Sequence, residues 1–158
     1  MRGPRVGVKV YDSCWGTWGF LAQAYEFMRE SVVDLSTEQI ETVWRHTFYG
    51  REKENLNYPI ALANLMLHGI NEPHLWYGNT LTGQIVYDGL FKNSPERFDV
   101  ILTNPPFGGK EGQEVQSSFA FKTSSTQVLF LQHIINSLKP GGRCGIVLDE
   151  GVLFRTSE

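Results

Sequence analysis

The chain has little cysteine, no excess of positive charge and no long apolar run, and each shortage removes a class of protein. Its two cysteines, Cys14 and Cys144, are too few and too far apart for a disulfide framework or a zinc site. No apolar run approaches the roughly 20 residues of a bilayer crossing, and no signal peptide opens the chain. A cytoplasmic protein without contact to a membrane is the expectation. The formal net charge of −3 and a pI near 5.8 argue against a free-standing nucleic-acid binder, whose footprint is usually basic. They leave room for a catalytic subunit whose grip on DNA comes mostly from a partner. None of the four histidines has a convincing metal partner, so no metal site is expected.

What is present is a soluble globular composition, 41% hydrophobic and 20% charged over 158 residues, enough for one domain with a real core. Apolar runs of strand length alternate with helix-patterned runs. VGVKVY (6–11) reads as a strand ending at the glycine turn YDSCWGTWGF (11–20). FLAQAYEFMRE (20–30) has a helical period through Phe20, Leu21, Ala24 and Phe27. STEQIETVW (36–44) opens with a capping-box pattern, Ser36 to Gln39. TFYG (47–50) is a second strand, Tyr58–His68 a helix closed by Gly69, and HLWYG (74–78) a third strand before a polar loop.

RFDVILTN (97–104) is the clearest strand, since Val100-Ile101-Leu102 is the continuous apolar run of a buried parallel sheet. Residues 108–124, rich in Gly, Ser and Gln, read as a mobile loop. VLFLQHIINSLK (128–139) reads as an amphipathic helix with Val128, Leu131, Ile135 and Leu138 on one side. Pro140-Gly141-Gly142 stops it, and CGIVL (144–148) is a fifth strand. Such alternation predicts an α/β fold, a mostly parallel sheet with helices on both faces. Ligands bind such sheets at the carboxyl ends of the strands, here Asp12–Gly19, Gly50–Glu54, Gly78–Thr80 and Asn104–Phe107.

The sharpest motif is NPPF, residues 104–107, directly after the best strand. Asn-Pro is also an ordinary turn. A Pro-Pro pair, however, offers no N–H donors, while its carbonyls and the Asn104 side-chain oxygen stay free to accept. An exocyclic amine could donate to Asn104 and to the Pro105 carbonyl, which turns its lone pair toward an electrophile. Phe107 could stack on the ring carrying that amine.

NPPF after an apolar strand, with a glycine turn and an acidic strand end upstream, resembles the S-adenosylmethionine-dependent amino-methyltransferases that act on DNA. TFYGREKENLNYPIALANLMLHGI, GNTL, FDVILTNPPFGGKE, FLQHIINSLKPGGR and VLDEGVLF together resemble the modification subunit of type I restriction–modification systems, over nearly all of residues 6–155. The resemblance implies a Rossmann-like methyltransferase fold and methyl transfer to the N6 amine of a flipped adenine in double-stranded DNA. Residues Asn104, Pro105, Pro106 and Phe107 would be catalytic. It also implies a specificity subunit and a restriction subunit as partners. For the cofactor, S-adenosyl-L-methionine, it points to Asp12, Gly16, Thr17 and Gly19 of the first motif, to Glu52 for the ribose hydroxyls and to Asn79 near the adenine. Taken alone, Glu52 could be a solvated carboxylate and Asn79 a turn residue.

Two departures accompany the likeness. Ser13 stands where the family has proline, and Trp18 where it has Gly or Ala. An indole there would fill the methionine part of the cofactor site or divert the loop, unless it swings outward as a lid. Residues 1–158 are expected to be a partial catalytic domain with an incomplete sheet, lacking the family's N-terminal helical region and later strands. Weak or absent activity is therefore expected of the isolated polypeptide. The alternatives are a non-catalytic remnant of the family, or methylation of another planar amine, a protein glutamine or an RNA base.

Overall fold

The computed structural model describes residues 5–16, 19–31, 36–70, 72–91 and 93–154, and among these six strands form one sheet. β1 (Val10–Asp12), β2 (Phe48–Glu52), β3 (His74–Asn79), β5 (Phe98–Thr103) and β6 (Leu138–Ile146) run parallel, while β4 (Gln84–Tyr87) turns back antiparallel on β3. The order is β4-β3-β2-β1-β5-β6. Strand β1 pairs with both β2 and β5, so the chain reverses direction across the sheet there, the switch point where ligand crevices open. The first strand is shorter than its β-rich run suggests, because Gly7 at φ +91° and a Val8 N–H bond to the Arg5 carbonyl make a turn of residues 5–8.

The helices are α1 (Gly19–Ser31), α2 (Thr37–His46), α3 (Asn57–Leu67), α4 (Gln113–Ser117), α5 (Thr126–Ser137) and α6 (Glu150–Phe154). The capping box of α2 is formed: Gln39 N–H donates to Ser36 Oγ at 3.3 Å, and Ser36 N–H to Gln39 Oε1 at 3.0 Å. At the end of α3, Gly69 lies at φ +83° and Ile70 N–H reaches back to the Leu65 carbonyl, the left-handed closure its glycine calls for.

Helices cover both faces. On one, Val10, Phe48, Leu75 and Val100 pack with Leu21, Ala24 and Met28 of α1, Val43 of α2, and Ala61 and Leu65 of α3. On the other, Tyr11, Tyr49, Phe98 and Ile101 pack with Ile134 of α5. Strict alternation would not put Phe98 and Ile101 on the same face. A bulge does so: Asp99 and Val100 N–H both donate to the Lys9 carbonyl, and the β5–β6 register shifts at the same place.

Four expectations need correction. In α1, Tyr25 and Met28 join Leu21 and Ala24 in the core, whereas Phe20 and Phe27 are exposed. In α5 the buried stripe is Leu129, Phe130 and Ile134, not Val128, Leu131, Ile135 and Leu138, and Ile135 is 67% exposed. Both stripes have a helical period, and the buried one was disguised by Thr126, Gln127 and Ser137, which are themselves buried. The polar loop after β3 contains β4, joined by a turn with Gly83 at φ +70°. Finally, residues 108–124 are not featureless: α4 lies within them, Lys110 bridges Ser125, and the Gln132 amide clamps the Phe121 backbone through bonds of 2.8 and 2.7 Å.

Candidate active site

The carboxyl ends of β1, β2, β3 and β5 surround a cavity of about 330 Å³, whose walls include Gly16, Arg51, Glu52, Asn79, Asn104 and Phe130. That volume is in the range of small-ligand pockets. Glu52, the last residue of β2, is 6% exposed. Its Oε2 accepts from Gly16 N–H at 2.6 Å, and its Oε1 from the Lys53 and Glu54 N–H groups at 2.8 and 2.6 Å. These bonds tie the glycine turn to the end of β2. Burial pushes the Glu52 carboxyl above its ordinary range, against the pull of the three backbone donors. A carboxylate has about four acceptor sites, so one remains for a ligand hydroxyl.

Asn79, at the end of β3, accepts from Leu81 N–H at 3.0 Å through Oδ1. With its oxygen so engaged, its NH₂ is the group left for the cavity. Asn104 is exposed and lines the cavity with Pro106, while Pro105 is buried behind it. Phe107 is 57% exposed, a ring turned to solvent at the mouth of the motif.

Asp12 does not line the cavity; it lies behind the wall, 2% exposed. Its Oδ1 accepts from Cys14 N–H at 2.9 Å and from Thr103 Oγ1 at 2.6 Å. Because the Thr103 proton is given to Asp12, the Ser13 hydroxyl donates to Thr103 Oγ1, 3.0 Å away. The Thr80 hydroxyl in turn donates to the Ser13 carbonyl at 2.8 Å. Serine at position 13 thus contributes a buried bond that stitches the ends of β1 and β5 together. Gly19 opens α1 and is also outside the cavity wall. Thr17 and Trp18 lie outside the described residues. Trp15 is 2% exposed and packs in the core over Gly50, not in the cavity.

Arg51 and Thr80 fall within the strand-end stretches Gly50–Glu54 and Gly78–Thr80, though neither is named there as a candidate. Thr103 has a signal, as the polar residue ending an otherwise apolar strand. Phe130 is brought in by the rotation of α5, which a local pattern does not encode.

Burial pushes the Asp12 carboxyl up to about 7, with the Thr103 and Cys14 bonds opposing and the Glu52 charge adding to it. The folded value exceeds the ordinary 3.8 by about three pH units, on the order of 4 kcal/mol. Between those values the folded state keeps a proton that the unfolded state has released. The associated stability is therefore complete below about pH 4 and is lost as pH rises through about 7. Asp12→Asn keeps an oxygen acceptor and carries no buried charge. Its melting temperature relative to the parent is expected to rise by several degrees between pH 5 and pH 8. Parallel melting curves across that range would show that Asp12 titrates normally.

The fold and the cavity define a Rossmann-like methyltransferase domain, with an acid at the end of β2 and Asn-Pro-Pro-Phe after β5. The family description N-6 DNA Methylase matches residues 2–158, and the chain belongs to that family. It is 37% identical over 154 residues to the type I restriction enzyme EcoEI methylase subunit of Escherichia coli, covering 96% of this chain and 30% of that protein. With the EcoKI methylase subunit of Escherichia coli (strain K12) it shares 36% identity over 153 residues, 92% of this chain and 28% of the relative. Among solved structures, a chain from work on complex assembly and conformational transition of the type I R-M system superposes with a TM-score of 0.83 at 43% identity, over 96% of this chain and 30% of that one. The EcoKI M protein gives 0.80 at 33% identity, over 96% and 32%. This chain therefore spans about 30% of the length of the relatives it matches.

Proposed function

We propose that residues 1–158 are the cofactor-binding and amine-orienting part of an adenine N6-methyltransferase acting on double-stranded DNA, with S-adenosyl-L-methionine as methyl donor. The observation that carries this reading is the placement of Glu52, Asn79 and Asn104 around one cavity at the switch point of the sheet. The residues present fit the cofactor: Glu52 retains an acceptor site for a ribose hydroxyl, and Asn79 offers NH₂ donors to an adenine ring. Phe130 supplies an aromatic wall. The bound cofactor supplies a sulfonium methyl as electrophile.

The chain's own part in the transfer is orientation. Asn104 Oδ1 and the Pro105 carbonyl accept the two hydrogens of the target amine, which leaves its lone pair free on the remaining side. Phe107 stacks on the extruded base, offsetting the stacking lost when it leaves the duplex. No covalent enzyme intermediate is needed, and burial pushes the Cys14 thiol further from its thiolate. Sequence recognition falls to a specificity subunit, with a restriction subunit as a further partner, in keeping with the net charge of −3. We place this work in the cytoplasm; among the described residues no helix is long and apolar enough to cross a membrane.

The test is incorporation of labelled methyl from S-adenosylmethionine into double-stranded DNA by the chain together with a specificity subunit, followed by nucleoside analysis. N6-methyladenine as the labelled product is the expected result; label in cytosine, RNA or protein would overturn it. Trp18 is tested beside it by calorimetry. The parent is expected to bind the cofactor weakly and Trp18→Gly at least tenfold more tightly, whereas equal affinity would show that the indole does not obstruct.

A further inference from the structure

Arg51, a cationic side chain of the cavity wall, lies against aromatic rings. Its guanidinium carbon sits 4.7 Å from the centre of the Trp76 ring and 5.6 Å from that of Phe91. Its Nε is buried without a hydrogen-bond partner, and among the described residues no ion pair engages its side chain. A buried guanidinium donor without an acceptor is costly. Stacking on aromatic faces offsets part of that cost while fixing the plane in which the donors point. Among the described residues none supplies that acceptor, so Arg51 is held ready for one from a ligand.

The position of Arg51 in the sheet indicates which acceptor that is. Resting on the proposed function, the methyl group must lie toward Asn104 at the end of β5, and the ribose at Glu52 on β2. The adenine then falls on the far side, toward β3, where Asn79, Thr80, Leu81 and Phe130 line the wall. Arg51 stacks on Trp76 of β3 and so belongs to that end. Asn79, its oxygen occupied, also presents donors there. Two donor groups suit adenine, whose N1, N3 and N7 are in-plane acceptors. We propose that Arg51 is a specificity-determining residue that donates a hydrogen bond to a ring nitrogen of the cofactor's adenine.

The experiment is calorimetric binding of S-adenosylhomocysteine and its 1-deaza, 3-deaza and 7-deaza analogues to the full chain and to Arg51→Met. Each analogue replaces one ring nitrogen by C–H. The parent chain is expected to lose about tenfold or more in affinity for one of the three. Arg51→Met is expected to bind the natural ligand about tenfold more weakly and to treat that analogue and the natural ligand alike. If the parent chain binds all four equally, the proposal is overturned, whether or not the variant folds. Weaker binding of all four by the variant, without change in the parent's discrimination, would assign Arg51 to another part of the ligand and also overturn it. Where only Trp18→Gly binds, the same comparison is made in that background; failure of both the parent and Trp18→Gly to bind S-adenosylhomocysteine or S-adenosylmethionine would overturn the cofactor reading itself, and this inference with it.

Discussion

Gly50→Ala is expected to destabilise the fold strongly, although it adds one methyl group. A Cβ at Gly50 would lie 1.2 Å from Trp15 Cε3 and 2.0 Å from Cζ3, inside the indole ring. The ring has nowhere to retreat. Trp15 is 2% exposed and packed with Val10, Leu21, Phe48 and Leu75. Its own N–H is bonded to the Arg51 carbonyl at 2.9 Å, which pins its backbone beside the glycine. Overpacking of a well-filled core typically costs about 1–3 kcal/mol; a full overlap with an immobile ring belongs at or above the upper end. That is a large share of the ~5–15 kcal/mol that keeps a domain folded.

Removing the ring should relieve the overlap. Trp15→Ala alone leaves a cavity and costs about 3–5 kcal/mol, but the added methyl then has open space to occupy. The double variant is therefore expected to be more stable than the sum of the single effects predicts, by on the order of 2 kcal/mol. Urea unfolding of the four proteins measures this coupling. Simple additivity, or a Gly50→Ala protein that melts with the parent, would show that the ring and the glycine do not confront each other. The pairing also bears on function, because the aromatic residue at position 15 occupies the core and leaves the cavity free.

Asn104→Ala should have the largest effect on chemistry. Loss of one preorganised polar group aimed at a reacting centre commonly costs ~10²–10³ in rate. On the proposed function, methyl transfer to DNA by the chain with a specificity subunit is expected to fall by at least about a hundredfold. On the same reading cofactor affinity should stay within about twofold, because Asn104 follows β5, which β1 separates from β2 and β3 in the sheet. Single-turnover transfer and calorimetry separate the two quantities. Retained transfer would remove Asn104 as the amine-orienting group; a matching fall in cofactor affinity would recast it as a binding residue.

The sequence by itself determined the fold class, the capping box of α2, the glycine closure of α3 and the Asn-Pro-Pro-Phe motif proposed to orient the target amine. These are local matters. A capping box satisfies backbone donors within three residues, a buried parallel strand announces itself by an unbroken apolar run, and Asn-Pro-Pro-Phe is read in four consecutive positions. The acid at the end of β2 was also legible, since strand ends are where such sheets bind ligands.

Only the tertiary structure decided which side of each element is buried and what the polar residues hold. Leu131 and Ile134 have equal claims to the core when α5 is considered alone; the sheet selects Ile134, because the helix settles its polar Thr126 and Gln127 inside as well. Asp12 reads as a cofactor ligand from its place in the motif. Strand pairing between β1 and β5 puts Thr103 within 2.6 Å of it, and the carboxyl acts as a stitch across the switch point, a role its place in the motif does not reveal. Arg51 falls in the strand-end stretch Gly50–Glu54, but it gains its stacking partner only when β3 brings Trp76 beneath it. In each case the deciding partner is dozens of residues away in the chain. Proximity of that kind is created by strand pairing and helix packing, and no local periodicity records it.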